Sequence, residues 1–301
     1  MDVPFIGPEA GARLDWLALT RALEAGHALP RAEVDDTFLY RGADTLLSRA
    51  AWIDGLGMLV KTATIFPGNP ARGLPSVGGA VSLFSDGDGR LAAMLDFALV
   101  TKWKTAGDSL LAATRLARPD SRRILLVGAG TVASSLHEAY GAAFPEAAFS
   151  VWARDPARTQ AFARARGIDA APDLEAAVRS ADVVACATMA TEPVIRGAWL
   201  PPGCHLDLIG AYRPDMREAD DEALTRASIH VDSRATTMGH IGELRIPLAA
   251  GTIAPEDVRS DLYDGPGAMR RTSADEITLF KNGGGAHLDL MTARYILDAV
   301  A

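Results

Sequence analysis

The chain has 301 residues, 49% hydrophobic and 23% charged, with a net charge of −8; this is enough apolar material for one large or two ordinary globular domains. No lysine- and arginine-rich run occurs, which argues against nucleic acid or an anionic membrane as partner but leaves room for a basic pocket that takes a small anion. No apolar run reaches the ~20 residues that span a bilayer, and no basic-then-apolar N-terminal segment precedes a cleavage site, so a cytoplasmic protein is expected.

Residues 1–30 place Leu14, Trp16, Leu17, Leu19 and Leu23 at near-helical spacing, and Pro30 ends the run, which predicts a helix. From Arg31 to about Leu99 short apolar runs (Thr45–Arg49, Gly57–Ile65, Gly79–Phe84, Leu91–Leu95) alternate with Pro67-Gly68-Asn69-Pro70 and Asp86-Gly87-Asp88-Gly89. Such turn chemistry between apolar runs predicts a mostly antiparallel sheet. Thr105–Leu116 reads as a helix rich in Ala and Leu, broken by Pro119-Asp120-Ser121. A strand–helix alternation follows: strand Ile124–Val127, helix Thr131–Ala143, strand Ala148–Ala153, helices Pro156–Arg166 and Leu174–Ser180, then strands Asp182–Ala187, His205–Ile209 and Ser228–Val231. Continuous apolar strands separated by helices predict a parallel sheet covered on both faces. Ala286–Val300 reads as a last helix. The expected organisation is a discontinuous α+β domain, residues 1–115 plus 286–301, with an α/β nucleotide domain inserted at 116–285.

The chemistry-bearing motif opens that inserted domain. Strand Ile124–Val127 runs into Gly128-Ala129-Gly130-Thr131-Val132-Ala133, the Gly-x-Gly-x-x-Gly/Ala fingerprint of a Rossmann dinucleotide site. Gly128 permits the tight turn, Gly130 lets a pyrophosphate approach the backbone, and Ala133 lets helix and strand pack closely. The free N–H groups of the helix start then face the phosphates. At the end of the second strand stands Arg154, where an acidic residue would bind a ribose 2′-hydroxyl and a basic one accepts a 2′-phosphate. Arg154, with Arg158, therefore points to NADPH, with NADH as the alternative. Asp155 is placed to cap the helix beginning at Pro156.

Lys61 shares a strand face with Leu59 and Ala63. A lysine on an apolar face must find a partner or lose its charge, so it is a candidate for pairing a substrate carboxylate or moving a proton, or else an edge lysine that snorkels to solvent. Lys102 and Lys104 flank Trp103 ahead of the Ala-rich helix, where an anion between them would account for them, as would ordinary surface charge. Cys186 and Cys204 lie in apolar stretches and read as buried free thiols. His27, His137, His205, His230, His240 and His287 are scattered without ligand-like spacing, so no metal is expected.

Lys61-Thr62-Ala63-Thr64-Ile65-Phe66-Pro67-Gly68-Asn69, Gly73-Leu74-Pro75-Ser76, Ala93-Met94-Leu95-Asp96, Thr101-Lys102-Trp103-Lys104-Thr105-Ala106 with Ser109, the Gly128-Ala129-Gly130 turn, Pro202-Gly203, Ile209-Gly210-Ala211, Arg217-Glu218 and Ile277-Thr278-Leu279-Phe280-Lys281 occur in that order. Together they resemble the ornithine cyclodeaminase/mu-crystallin family, from about Arg31 to the end of the chain. The resemblance implies a substrate-binding and dimerisation domain joined to a Rossmann domain, in a homodimer. It assigns Lys61 to the substrate, Ser76 to the neighbourhood of its carboxylate, and Lys104 to a position where the family usually has a carboxylate-binding arginine; Arg31 matches an upstream carboxylate-binding arginine. Asp289, beyond Gly283-Gly284-Gly285, is expected on the nicotinamide side of the cofactor or as a plain helix-start carboxylate. The chain departs from cyclodeaminases at Tyr212, where they carry an aspartate, and at Met216, where they carry a lysine. The pattern is more similar to the family's reductases, which implies reduction of a cyclic imino acid such as Δ1-pyrroline-2-carboxylate or Δ1-piperideine-2-carboxylate. An L-alanine or other amino acid dehydrogenase, an ornithine cyclodeaminase and a non-enzymatic ligand-binding protein are the alternatives.

Overall fold

The computed structural model describes residues 3–301, so the first two residues of the predicted N-terminal helix lie outside the described residues. The chain forms two compact units, one reaching to Lys104 and completed by Gly285–Ala301, the other Thr105–Gly284.

The first unit contains β1 (Phe5–Ile6), α1 (Trp16–His27), β2 (Glu33–Arg41), β3 (Asp44–Ile53), β4 (Gly57–Ile65), β5 (Val77–Phe84) and β6 (Leu91–Asp96). They form a six-stranded sheet in the order β1-β6-β5-β4-β3-β2, antiparallel from β2 to β6 with β1 parallel to β6. In β4 the alternation buries Gly57, Leu59, Lys61 and Ala63, as an apolar/polar repeat of two demands. α1 is shorter than its apolar pattern suggested, because the Asp15 carboxylate accepts from the Ala18 amide at 2.6 Å and starts the helix there. β2 was not expected. Its nine residues are all exposed, so it carries no burial signal and exists by backbone pairing with β3, from Glu33 opposite Trp52 to Arg41 opposite Asp44.

α2 (Phe97–Leu116) follows β6 directly and passes from the first unit into the second. It begins eight residues before the predicted Thr105 because the Asp96 carboxylate accepts from the Leu99 amide at 2.7 Å. Lys102 and Lys104 thus lie inside the helix rather than ahead of it, and Trp103 is buried in a stack with Trp16, ring centroids 3.8 Å apart.

The second unit continues with β7 (Arg123–Val127), α3 (Thr131–Ala143), β8 (Ala148–Trp152), α4 (Pro156–Arg166), β9 (Asp169–Ala170), α5 (Leu174–Ser180), β10 (Val183–Cys186), β11 (His205–Leu208), α6 (Asp221–Arg226), β12 (Ser228–Val231), α7 (Arg234–Thr237), α8 (Gly242–Ala250), β13 (Val258–Asp261) and β14 (Thr278–Lys281). The eight strands are all parallel, in the order β13-β12-β14-β11-β10-β7-β8-β9. Strands β10, β11, β12 and β14 are buried at every residue, and Val127, Val184, Leu206, Leu208, Val231 and Leu279 join one core. From β7 the chain runs outward to β8 and β9, then returns to the other side of β7 at β10. That reversal makes the β7/β10 junction the switch point at which open α/β sheets bind ligands. The closing helix α9 (Ala286–Val300) returns the chain to the first unit. The architecture is a Rossmann domain inserted in a discontinuous α+β domain.

Candidate functional site

In the second unit the glycine turn sits at the carboxyl end of β7. Gly128 has φ +114°, and a Cβ there would lie 2.6 Å from the Ala187 carbonyl oxygen. Gly130 is different: its φ is −111°, it caps α3, and nothing lies within 4 Å of where its Cβ would be. No side chain caps the first turn of α3, Gly130 and Thr131 are exposed, Ala129 and Val132 are half-buried and Ala133 is buried. An open glycine backbone leading into an uncapped helix start fits a pyrophosphate. Beyond β8, Asp155 accepts from the Ala157 and Arg158 amides at 2.9 and 3.4 Å and so caps α4 as expected. The side chains of Arg154 and Arg158 are exposed.

On the other side of the switch point Tyr212 is 56% exposed, with the Arg213 guanidinium 5.8 Å from its ring and in a two-bond pair with Asp215. Met216 is fully buried against Ala211 and Ile241, an apolar packing role that a lysine would not fill. Cys186 and Cys204 are free and buried; burial holds the Cys204 thiol at about 12, which makes it an inert core residue.

In the first unit Lys61 is buried and finds its partner on α9. Its Nζ donates to Asp289 Oδ1 and to Thr101 Oγ1, each at 2.8 Å, and lies 4.6 Å from the Phe97 ring centroid. Asp289 is fully buried; its Oδ2 is 4.0 Å from Arg49 Nη1. Arg49 stands directly across from Lys61 on β3 and is also held by Asp36 through two bonds of 3.1 and 2.6 Å. Lys104, buried on α2, adds its charge to the same cluster. Burial pulls the Lys61 ammonium below its ordinary value, with Asp289 opposing and Lys104 and Arg49 reinforcing the fall. For Asp289 burial acts upward, but the charges of Lys61, Lys104 and Arg49 outweigh it and hold the carboxyl below its usual range.

The structure therefore joins Lys61, Lys104 and Asp289 in one cluster. It places Asp289 as the counter-ion of Lys61. Arg31 is exposed in the link between α1 and β2, and Ser76 is half-buried just before β5, its carbonyl accepting from the Phe66 amide at 2.7 Å. Arg49 was missed. The three-residue turn Asp54-Gly55-Leu56 carries the signal: counting outward from it along β3 and β4 sets Arg49 opposite Lys61.

A parallel sheet with this strand order, a positive-φ glycine at its switch point and an uncapped helix start define a dinucleotide-binding protein of the Rossmann class. The chain belongs to the ornithine cyclodeaminase/mu-crystallin family, whose sequence pattern matches residues 54–301. It is 56% identical over 303 residues to a Delta(1)-pyrroline-2-carboxylate reductase of Paracoccus denitrificans, covering 97% of this chain and 95% of that one. It is 31% identical to the ketimine reductase mu-crystallin of Rattus norvegicus over 80% of this chain and 76% of the relative. Among solved structures it superposes on an archaeal alanine dehydrogenase dimer with bound NAD at a TM-score of 0.90 and 27% identity, covering 100% of this chain and 96% of the other.

Proposed function

We propose that this chain is an NAD(P)H-dependent reductase of small cyclic imino acids, converting Δ1-pyrroline-2-carboxylate to L-proline and accepting the six-membered Δ1-piperideine-2-carboxylate as well. The observation that carries this reading is the cation cluster on the first unit. Lys61, Lys104 and Arg49 face two carboxylates, Asp289 and Asp36, and the positive charge left over suits the carboxylate of a small anionic substrate. Arg31 and Ser76 remain candidates for the rim of the same subsite. Tyr212, standing where cyclodeaminases carry an aspartate, supplies no carboxylate for a second amino group, which favours a cyclic imine over ornithine.

Gly128–Ala133 would hold the dinucleotide, which when bound would supply the hydride for reduction of a C=N bond. Lys61 engages two partners, Asp289 and Thr101, and its lowered proton affinity suits transfer of an Nζ proton to the imine nitrogen. The protonated imine is the better hydride acceptor; the amine product then retains that proton and Lys61 is recharged from solvent. Arg154 and Arg158 would pair a 2′-phosphate, which favours NADPH over NADH. Two buried free thiols fit a reducing, cytoplasmic compartment. Exposed Phe38, Leu39 and Tyr40 on the edge strand β2 support burial against a second copy in a homodimer, which a monomer mass in sedimentation at micromolar protein would refute.

The test is nicotinamide absorbance with purified protein. NADPH oxidation with Δ1-pyrroline-2-carboxylate is expected, with no proline or ammonia formed from ornithine in the presence of NAD. NAD reduction by L-alanine, without turnover of the imine, would favour the second reading suggested by the alanine dehydrogenase likeness. In the same assay Arg154→Ala is expected to raise KM for NADPH by about tenfold, ~1.4 kcal/mol, and to leave NADH unchanged; an equal loss with both cofactors would remove Arg154 from the phosphate.

A further inference from the structure

We propose that Glu218 is a positioning residue that sets the nicotinamide end of the cofactor site by tying together the chain segments that leave β10 and β11. It rests on the dinucleotide reading of the second unit and not on the choice of substrate. The Glu218 side chain is fully buried. One oxygen, Oε1, accepts from the Thr188 amide at 2.6 Å and from Thr188 Oγ1 at 2.8 Å. The other, Oε2, accepts from the Gly210 and Ala211 amides at 2.6 and 3.2 Å. Thr188 lies two residues past the end of β10, and Gly210 two residues past the end of β11. One carboxylate thus consumes the backbone donors of both segments.

A second fully buried carboxylate holds the first in place. Glu243, in the first turn of α8, accepts from the Glu218 amide at 2.7 Å and the Ala219 amide at 3.0 Å. Lys281, buried at the end of β14, supplies positive charge to both and donates to the Leu208 and Asn282 carbonyls at 2.9 and 2.7 Å. Burial and the neighbouring Glu218 push the Glu243 carboxyl up to about 7. The two segments are pressed so closely that a Cβ on Gly210 would overlap the Thr188 carbonyl oxygen.

Burying two carboxylates side by side is unfavourable, here offset by the backbone donors each one accepts from. The topology indicates what the arrangement serves. A dinucleotide lies across the carboxyl ends of the strands on both sides of the switch point. The adenosine half belongs on the β8 side, with Arg154, and the nicotinamide half on the β10 and β11 side. Glu218 fixes the backbone bordering that half before any cofactor arrives, which is preorganisation of the hydride donor's seat.

Glu218→Gln replaces one acceptor oxygen by an NH2 that faces backbone N–H donors, so one segment is released. The expected result by titration calorimetry is NADH binding weakened about tenfold, with ADP-ribose, which lacks the nicotinamide, bound as in the parent protein. A loss of equal size for both ligands, or for neither, overturns the proposal. If Glu218→Gln does not fold, Thr188→Val removes only the Oγ1 donor and should weaken NADH about threefold with ADP-ribose unchanged; equal effects there also overturn it. No imine enters the measurement, so a wrong substrate assignment leaves the result untouched.

Discussion

Lys61→Met is expected to lower imine reduction about 100- to 10,000-fold, the range for losing a positioned proton donor, while NADPH titrates the second unit as before. The methionine is one heavy atom shorter than lysine, keeps the apolar stem and removes the charge. Asp289, fully buried, then retains Arg49 at 4.0 Å and Lys104 nearby. Breaking a buried pair on one side costs about 3–5 kcal/mol, against about 5–15 kcal/mol for a whole domain, so the variant should fold with a lowered Tm. Adding Asp289→Leu removes the stranded charge and should return much of that stability without returning turnover. If Tm and rate recovered together, Lys61 would be a packing residue and its chemical role would fall.

Asp289→Asn examines the same pair from the other side through pH. Burial already lowers the Lys61 proton affinity and Asp289 opposes it; without the carboxylate Lys61 falls further. The alkaline limb of the pH–rate profile, where the charged amine is lost, is expected to move to lower pH. An unmoved limb would show that the titrating group lies elsewhere. The stability contribution has the opposite dependence in the parent protein. Asp289 has a depressed folded value, so its contribution is present above the ordinary carboxylate value of 3.8 and is lost as the pH falls below it.

The second large effect separates two glycines that lie two positions apart in one turn and differ in role. Gly130→Ala should fold normally, because its backbone is extended and no atom lies within 4 Å of the new methyl, yet the methyl occupies the approach of the pyrophosphate. Cofactor binding is expected to weaken at least tenfold, about 1.4 kcal/mol or more, at an unchanged Tm. Gly128→Ala should instead lose stability, since the positive φ and the 2.6 Å approach to the Ala187 carbonyl both act in the folded state; strain of this kind costs about 1–3 kcal/mol. Calorimetric titration with NADPH beside a thermal melt distinguishes them. Normal binding by Gly130→Ala would mean that no phosphate passes over the turn.

Much of the second unit was legible residue by residue. Helices α3, α4 and α5 and strand β12 have the bounds read from the chain, as does α9 in the first unit; α4 and α5 carry explicit start signals. Asp155 and Asp173 cap α4 and α5 through their side chains, and Gly167 ends α4 at φ +65°. Strand β14 was not legible as a strand. It is four residues long and enters the sheet between β11 and β12, a place decided by partners rather than by its own pattern. β2 escaped for the opposite reason, having no buried face at all.

The chemistry divides in the same way. The dinucleotide turn is a local device: strand, glycine, glycine and helix start are neighbours in the chain, so their order alone specifies what they bind. Lys61 could be singled out because a charge on an apolar strand face is anomalous wherever it occurs. Asp289 could be named as a residue of the cofactor's nicotinamide side but not as the counter-ion of Lys61, since it lies 228 residues further on and looks like any carboxylate at a helix start. The same holds for Glu218, which reaches back 30 residues to Thr188, and for Arg49, whose role appears only when β3 is laid against β4. Local patterns establish which residues are available. Which charges face each other is decided by folding, because Coulomb and hydrogen-bond energies depend on distances in space that chain order does not carry.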